Sequence, residues 1–344
     1  MPNPLRLSVL DQSPIVDGGT GAEALANTID LARLADALGY ERYWLAEHHG
    51  IASLACTSPE VLIAAAGAAT KRIRLGSGGI MLPHYSPFKV AEVFSTLAGL
   101  YPGRIDLGVG RAPGSDQMTA LALQRDRRTH PPDDFLDQIG ELLAYFEDRI
   151  PSDHPFAKLS RLPGLPQAPE VWLLGSSSQS GEWAAQLGLP YAFADFIGAG
   201  GAVIAQDYAE TFAPSDRLAA PRVAVAVRVI CAETDEEALH LGSSQQVQLI
   251  QLQQGRPMPA LPPHRAVRLL EESKVKLGAA PMGRRLVTGS PETVRQALEK
   301  IAADFGAEEV LALTITYDHA ARRRSYELLA RAFALPGMAV AVAG

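Results

Sequence analysis

Eight times along this chain a short apolar run rich in β-forming residues gives way to a longer stretch of helical periodicity. That alternation limits the fold more than any other feature. Strands joined by crossover helices run parallel, with right-handed connections. The predicted strands cover residues 5–10, 42–46, 73–80, 105–109, 170–174, 191–194, 222–231 and 310–316. The predicted helices cover 22–38, 59–70, 87–100, 134–146, 179–187, 203–212, 233–251 and 320–334. Gly39 follows the first helix as a stop signal, and Pro102-Gly103 turns the chain after the third.

Eight units of this kind favour closure into a (β/α)8 TIM barrel, with a doubly wound open sheet as the alternative. Between the seventh helix and the eighth strand lies an insertion at 254–285 that carries five prolines, then a helix capped at Ser290-Pro291. The insertion is expected to be either a mobile lid or a merely disordered loop on a single domain spanning 1–344. With 344 residues, 47% of them hydrophobic and 20% charged, the chain can bury the core such a barrel needs.

Charge and cysteine content exclude several classes. Lys and Arg number 31 against 38 Asp and Glu, a net charge of −7, and the basic residues are scattered, so there is no nucleic-acid footprint. The triplet Arg322-Arg323-Arg324 reads as a solvated helix face. Cys56 and Cys231 lie far apart without a CxxC partner, which fits a reducing compartment. The opening residues lack the basic end and long apolar run of a signal peptide, and no stretch is long and apolar enough for a membrane span. The expected location is therefore cytoplasmic.

In a barrel of this type the reactive residues sit at the C-terminal ends of the strands, and the unusual residues of this chain fall there. The second strand ends in Glu47-His48-His49, the third in Gly78-Gly79 and the fourth in Gly108-Val109-Gly110-Arg111. The fifth ends in Gly175-Ser176-Ser177-Ser178, the sixth in Asp195 and the eighth in Tyr317-Asp318. Consecutive strand side chains face opposite ways, so at most two of Glu47, His48 and His49 share a cavity. A neutral imidazole there is suited to moving a proton. A histidine merely hydrogen-bonded in the barrel mouth is the plainer alternative. A metal site would draw on His48 or His49 with His84 and Asp195.

Gly175 followed by hydroxyls at Ser176, Ser177, Ser178 and Ser180 leads into a helix and so offers a phosphate cradle. Helix capping alone needs one serine. The run Gly108-Val109-Gly110-Arg111-Ala112-Pro113-Gly114 has its third glycine one place late and a proline in the way, so it is not a dinucleotide fingerprint. Its glycines, with Gly76, Gly78 and Gly79, either let a flat ligand approach the backbone or relieve crowding in a small barrel. Arg111 is placed to pair with a phosphate. A glycine-floored mouth with a phosphate cradle, an arginine and a histidine suits a phosphorylated planar cofactor such as FMN.

At these residues the chain resembles the bacterial luciferase-like flavin monooxygenase family, in its single-component, alkanal-monooxygenase-like branch. The carriers are LSVLDQSP, RYWLAEHHG, IRLGSGGIMLPHYSP, PGRIDLGVGRAPG and WLLGSSSQSGEWAAQLGLPYAFA, in order and nearly end to end. The resemblance implies a (β/α)8 barrel that binds reduced FMN supplied by a separate flavin reductase. It implies that the flavin reacts with O2 through a C4a-hydroperoxide to oxygenate a small organic substrate. It also implies a homodimer. By motif position it makes His48 the catalytic residue and puts a non-proline cis peptide at Gly78-Gly79.

Arg111, Ser177 and Ser180 fall on phosphate-binding positions, with Gly175 and Ser176 adjoining. Glu47 and Gly110 complete the expected cofactor shell, and Arg127 or Arg128 would add phosphate contacts. No metal is implied. Gly110 stands where luciferase carries a reactive cysteine, and nothing indicates light emission. An F420-dependent oxidoreductase of the same superfamily is the nearest alternative. A flavin-binding protein without catalysis would be expected to lack His48 or to be shortened, and a metal-dependent barrel hydrolase leaves the serine loop without a role.

Overall fold

The computed structural model describes residues 4–111, 117–123, 133–159, 168–198, 200–279 and 285–337. Its strands are β1 (Arg6–Asp11), β2 (Arg42–Leu45), β3 (Arg74–Met81), β4 (Ile105–Gly110), β5 (Glu170–Gly175), β6 (Tyr191–Ala194), β7 (Val223–Cys231), β8 (Leu286–Gly289) and β9 (Glu309–Leu313). The helices that follow the first three strands are α1 (Gly21–Leu38), α2 (Pro59–Ala69) and α3 (Pro87–Leu100). After β4 come α4 (Gln117–Leu123) and α5 (Phe135–Phe146). The later helices are α6 (Ser178–Gln186), α7 (Gly201–Thr211), α8 (Asp235–Gln253), α9 (Pro263–Glu272), α10 (Pro291–Phe305) and α11 (His319–Ala332).

Each of β1 to β7 pairs in parallel with the next, and β9 pairs with both β7 and β1. The ring of eight parallel strands is closed, so the doubly wound alternative is wrong. The strand expected to be the eighth is β9. An additional strand, β8, pairs only with Arg228–Cys231 in the upper half of the nine-residue β7. The insertion contains α9, which packs on α8 through Ala266, Leu270 and Val247.

Strand alternation sorts the apolar residues into two layers. Tyr43, Leu45, Val310 and Ala312 face the helices, whereas Trp44, Leu311 and Leu313 fill the barrel. Inside, Trp44 and Trp172 meet edge to face at 5.3 Å. Below them, at the strand starts, a buried ionic plug closes the barrel. Arg42 donates to Asp106 at 2.9 Å, to Glu170 at 3.1 Å and to Glu309 at 2.9 Å, and Trp44 Nε1 donates to Asp106 at 3.0 Å. With the floor sealed, the usable cavity lies at the other end.

The arginine triplet corrects its reading as a solvated face. Arg322 is buried, donating to Asp11 at 2.6 Å and to the Thr314 carbonyl at 2.8 Å, while Tyr43 donates its hydroxyl to Asp11. α11 lies against the outside of the barrel, and this turn of it faces inward. Arg323 and Arg324 pair with Asp30 and Glu233 at the surface. Among the described residues no helix is long and apolar enough to cross a membrane.

Candidate active site

Beyond β2 the chain passes through Glu47, His48 and His49, and their side chains diverge as strand geometry requires. His48 faces a cavity of about 170 Å³ in the barrel mouth, walled by Gln12 after β1, Arg228 on β7, Ile315 after β9 and one face of α8. Its Nδ1 donates to the Ala46 carbonyl at 3.2 Å, so the neutral ring carries its lone pair on Nε2, which stands 3.5 Å from the Gln12 amide nitrogen. Burial pushes its pKa below the usual 6.5, outweighing the Ala46 bond and the Glu47 charge, and the imidazole is neutral at pH 7. A neutral, oriented imidazole in a mostly apolar cavity can accept a proton or return one.

Glu47 points away from that cavity and is fully buried. One carboxylate oxygen accepts from His49 Nε2 at 2.6 Å and from the Tyr85 hydroxyl at 2.8 Å, and the other accepts from the Met81 N–H at 2.9 Å. These bonds tie the end of β2 to the end of β3, where Gly78 and Gly79 lie. The bond between those glycines is cis. A Cβ on Gly79 would lie 2.6 Å from Leu174 Cδ1 and 2.7 Å from the Gly108 carbonyl oxygen, and one on Gly78 would lie 2.6 Å from Leu10 Cδ1. Crowding against the Gly108 backbone therefore requires glycine at position 79, whatever lies above it, whereas at Gly78 the close atom is the movable end of the Leu10 side chain. At Gly110 the space is open, with only Met81 Sδ at 3.7 Å.

On the opposite side of the mouth, Ser177 caps α6. It accepts from the Ser180 N–H, and Ser180 Oγ in turn lies 3.3 Å from the Ser177 N–H, donates to the Ser177 carbonyl at 2.6 Å and stands 2.9 Å from the Tyr191 hydroxyl. Two of the serines thus perform the capping, and Gly175 is required because a Cβ there would overlap Ser180. The Ser178 and Gln179 N–H groups, at the first two helical positions, lack intrahelical acceptors and provide the anion-attracting end of α6. Ser176 is half-buried beside them, and Ser177 and Ser178 are exposed. Arg111 leaves β4 toward the same helix, lying 5.3 Å over the Trp183 ring and donating to Asp133 at 3.1 Å. Arg127, Arg128 and residues 112–114 lie outside the described residues.

The residues named for a metal site do not converge. His49 is held by Glu47, Asp195 is paired with Arg285 at 3.3 Å, and no group of three or more His, Cys, Asp or Glu among the described residues could hold a metal ion. The cavity itself adds residues that strand-end reasoning missed. Gln12, Arg228 and Gln245 line it, and Gln245, Gln248, Leu249 and Leu252 recur at the i, i+3, i+4, i+7 spacing of one helix face. That spacing in the glutamine-rich run of α8 was the available signal.

Over residues 5–309 the chain matches the family model described as luciferase-like monooxygenase. It is 44% identical to the uncharacterized protein YwcH of Bacillus subtilis over 95% of this chain and 99% of that one. It is 39% identical to the luciferase-like monooxygenase of Escherichia coli over 94% and 96% of the two chains. Among solved structures, apo-MsnO8 superposes with a TM-score of 0.88 at 42% identity, covering 96% of this chain and 99% of that one. At lower identity the fold alone is shared, with TM-scores of 0.72 and 0.68. The first structure is the oxygenating constituent of 3,6-diketocamphane monooxygenase in complex with FMN (20% identical; 97% and 98% of the two chains covered). The second is an F420-dependent secondary alcohol dehydrogenase (13% identical; 96% and 99% covered).

Proposed function

The chain belongs to the luciferase-like monooxygenase family, and from that premise we propose that it uses reduced FMN and O2 to oxygenate a small organic substrate in the cavity lined by His48. The observation that carries this reading is the division of the mouth into two halves. A glycine-rich surface with a helix N-terminus and Arg111 lies toward β3, β4 and α6, and an apolar cavity holding His48 lies toward β1, β7 and α8. The first half fits a phosphorylated planar group. The Ser178 and Gln179 N–H groups, Ser176 and Arg111 would hold its phosphate, and the open space at Gly110 and the backbone at Gly78-Gly79 would take its ring.

When bound, reduced flavin supplies the two electrons that activate dioxygen. This chain excludes water, holds the substrate and positions His48 Nε2 to take or return a proton in an enclosed site. Glu47 acts by fixing the β2 and β3 ends, and Ser177 and Ser180 by fixing the start of α6. A separate flavin reductase supplies the reduced cofactor, and the working unit is a homodimer.

Anaerobic titration of the purified protein with reduced FMN and, in parallel, reduced F420, followed by an oxygen pulse, tests this reading. Tight FMN binding with an oxygen-dependent absorbance transient supports it. F420 binding without oxygen chemistry moves the protein to the reductase side of the superfamily, and binding of neither overturns the flavin reading.

A further inference from the structure

Two adjacent glutamines on α8 are equally buried, each 1% exposed, and they differ in what they touch. Gln246 uses both ends of its amide, donating to the Lys276 carbonyl at 2.8 Å and the Ala279 carbonyl at 3.1 Å and accepting from the Gly278 N–H at 3.0 Å. Gln245 uses neither end. Its Nε2 and Oε1 are both buried without a hydrogen-bond partner in the protein, and its side chain lines the cavity that holds His48. An amide buried with both ends unmet is unfavourable, whereas an apolar side chain of similar size would leave nothing unmet.

We propose that Gln245 recognises the substrate, and that the substrate is a small apolar molecule carrying a carboxamide head. The cavity walls are mainly apolar, built by Ile51, Leu54, Phe196, Leu249 and Ile315, so most of the ligand is apolar. A carboxamide presents an acceptor and a donor side by side, matching Nε2 and Oε1 at once. A carboxylate would satisfy Nε2 and place negative charge against Oε1. Gln248 Oε1, one helical turn away on the same face and also buried without a partner, adds a second acceptor for an amide N–H. The cavity residues lie on β7 and α8 and in the segments that follow β1, β2, β6, β9 and α8, and none is a glycine or serine of the proposed flavin half. The site is therefore assigned to substrate. Taking this cavity as the substrate's rests on the function proposed above, whereas the amide titration that tests it is made without flavin.

The test is calorimetric titration of the purified wild type and Gln245→Leu with hexanamide and with hexanoate, alongside thermal unfolding and reduced-FMN titration of both proteins. Hexanamide is expected to bind the wild type about tenfold more tightly than it binds Gln245→Leu, and more tightly than hexanoate binds the wild type. The Tm of Gln245→Leu is expected to equal or exceed that of the wild type, because two unmet polar atoms are removed. Equal hexanamide affinities in the two proteins, including no binding to either, would overturn the proposal, as would a preference for hexanoate. A fall in Tm would show a structural role, and a fall in FMN affinity would put Gln245 on the cofactor; either result overturns it. Failure of the wild type to bind flavin, with the amide preference intact, would sink the monooxygenase mechanism and leave this recognition site standing.

Discussion

At the scale of single residues, the roles proposed for His48 and Arg111 should separate in kinetics. His48→Ala is expected to leave reduced-FMN affinity within a few-fold and to slow or uncouple oxygenation, as measured by product formed per O2 consumed. Burial holds its pKa below 6.5, so the wild-type imidazole takes up its proton at a lower pH than an ordinary histidine, and a rate that needs the neutral ring should have its midpoint below 6.5. The decline should vanish in His48→Gln, whatever residual rate remains. Arg111→Ala should weaken reduced-FMN binding by about 1.5 kcal/mol, near the low end for a charge-assisted bond because the side chain is 48% exposed. Direct titration measures it, and unchanged affinity would remove Arg111 from the site. The placement of His48 in a cavity was legible from its position after a strand. That Glu47 beside it faces the other way followed from strand alternation, but its bonds inside the protein did not, since the partners at Met81 and Tyr85 come from another strand end and loop.

Elements explain why the two halves of the mouth hold their shape. Removing the Glu47 carboxylate would leave the half-buried Met81 N–H and Tyr85 hydroxyl without their acceptor, so Glu47→Ala should lower unfolding stability by about 2 kcal/mol in denaturant melts. Ser177→Ala should cost about 1 kcal/mol, the usual loss of a cap, because the rest of α6 packs independently of it. Strands of the ring were readable because parallel strands covered on both faces are continuous apolar runs, as VAVAVRVIC in β7 illustrates. β8 escaped because LVTG is four residues long, and α9 because its prolines suggested a loop although two of them stand at the helix start, where a missing N–H is tolerated. Arg322 was misread because helical periodicity alone does not reveal a buried carboxylate contributed by β1. Gln245 was passed over because polar helix residues are ordinarily exposed.

For the whole molecule, Asp11, Tyr43 and Arg322 join the first two strands to the last helix and so link the chain's beginning to its end. Burial alone would raise the Asp11 pKa, but the Arg322 guanidinium and the Tyr43 hydroxyl outweigh it and hold the carboxyl below its ordinary 3.8. The unfolded chain then binds the proton more readily than the folded one. This pair therefore contributes its full stability above about pH 5, and that stability is lost as pH falls through 3.8 toward the lower folded value. Arg322→Leu, which leaves the buried carboxylate without its cation, should cost about 3 to 5 kcal/mol at pH 7, and the deficit should shrink in acid. Equilibrium unfolding at pH 7 and pH 4 measures both. β8 hangs on the upper half of β7 and takes no part in closing the ring. The stretch from the end of α8 through β8 supplies Pro257 and Met258 to the cavity wall without closing the ring, so substitutions within it are expected to change what the cavity accepts while the eight-stranded ring stays closed.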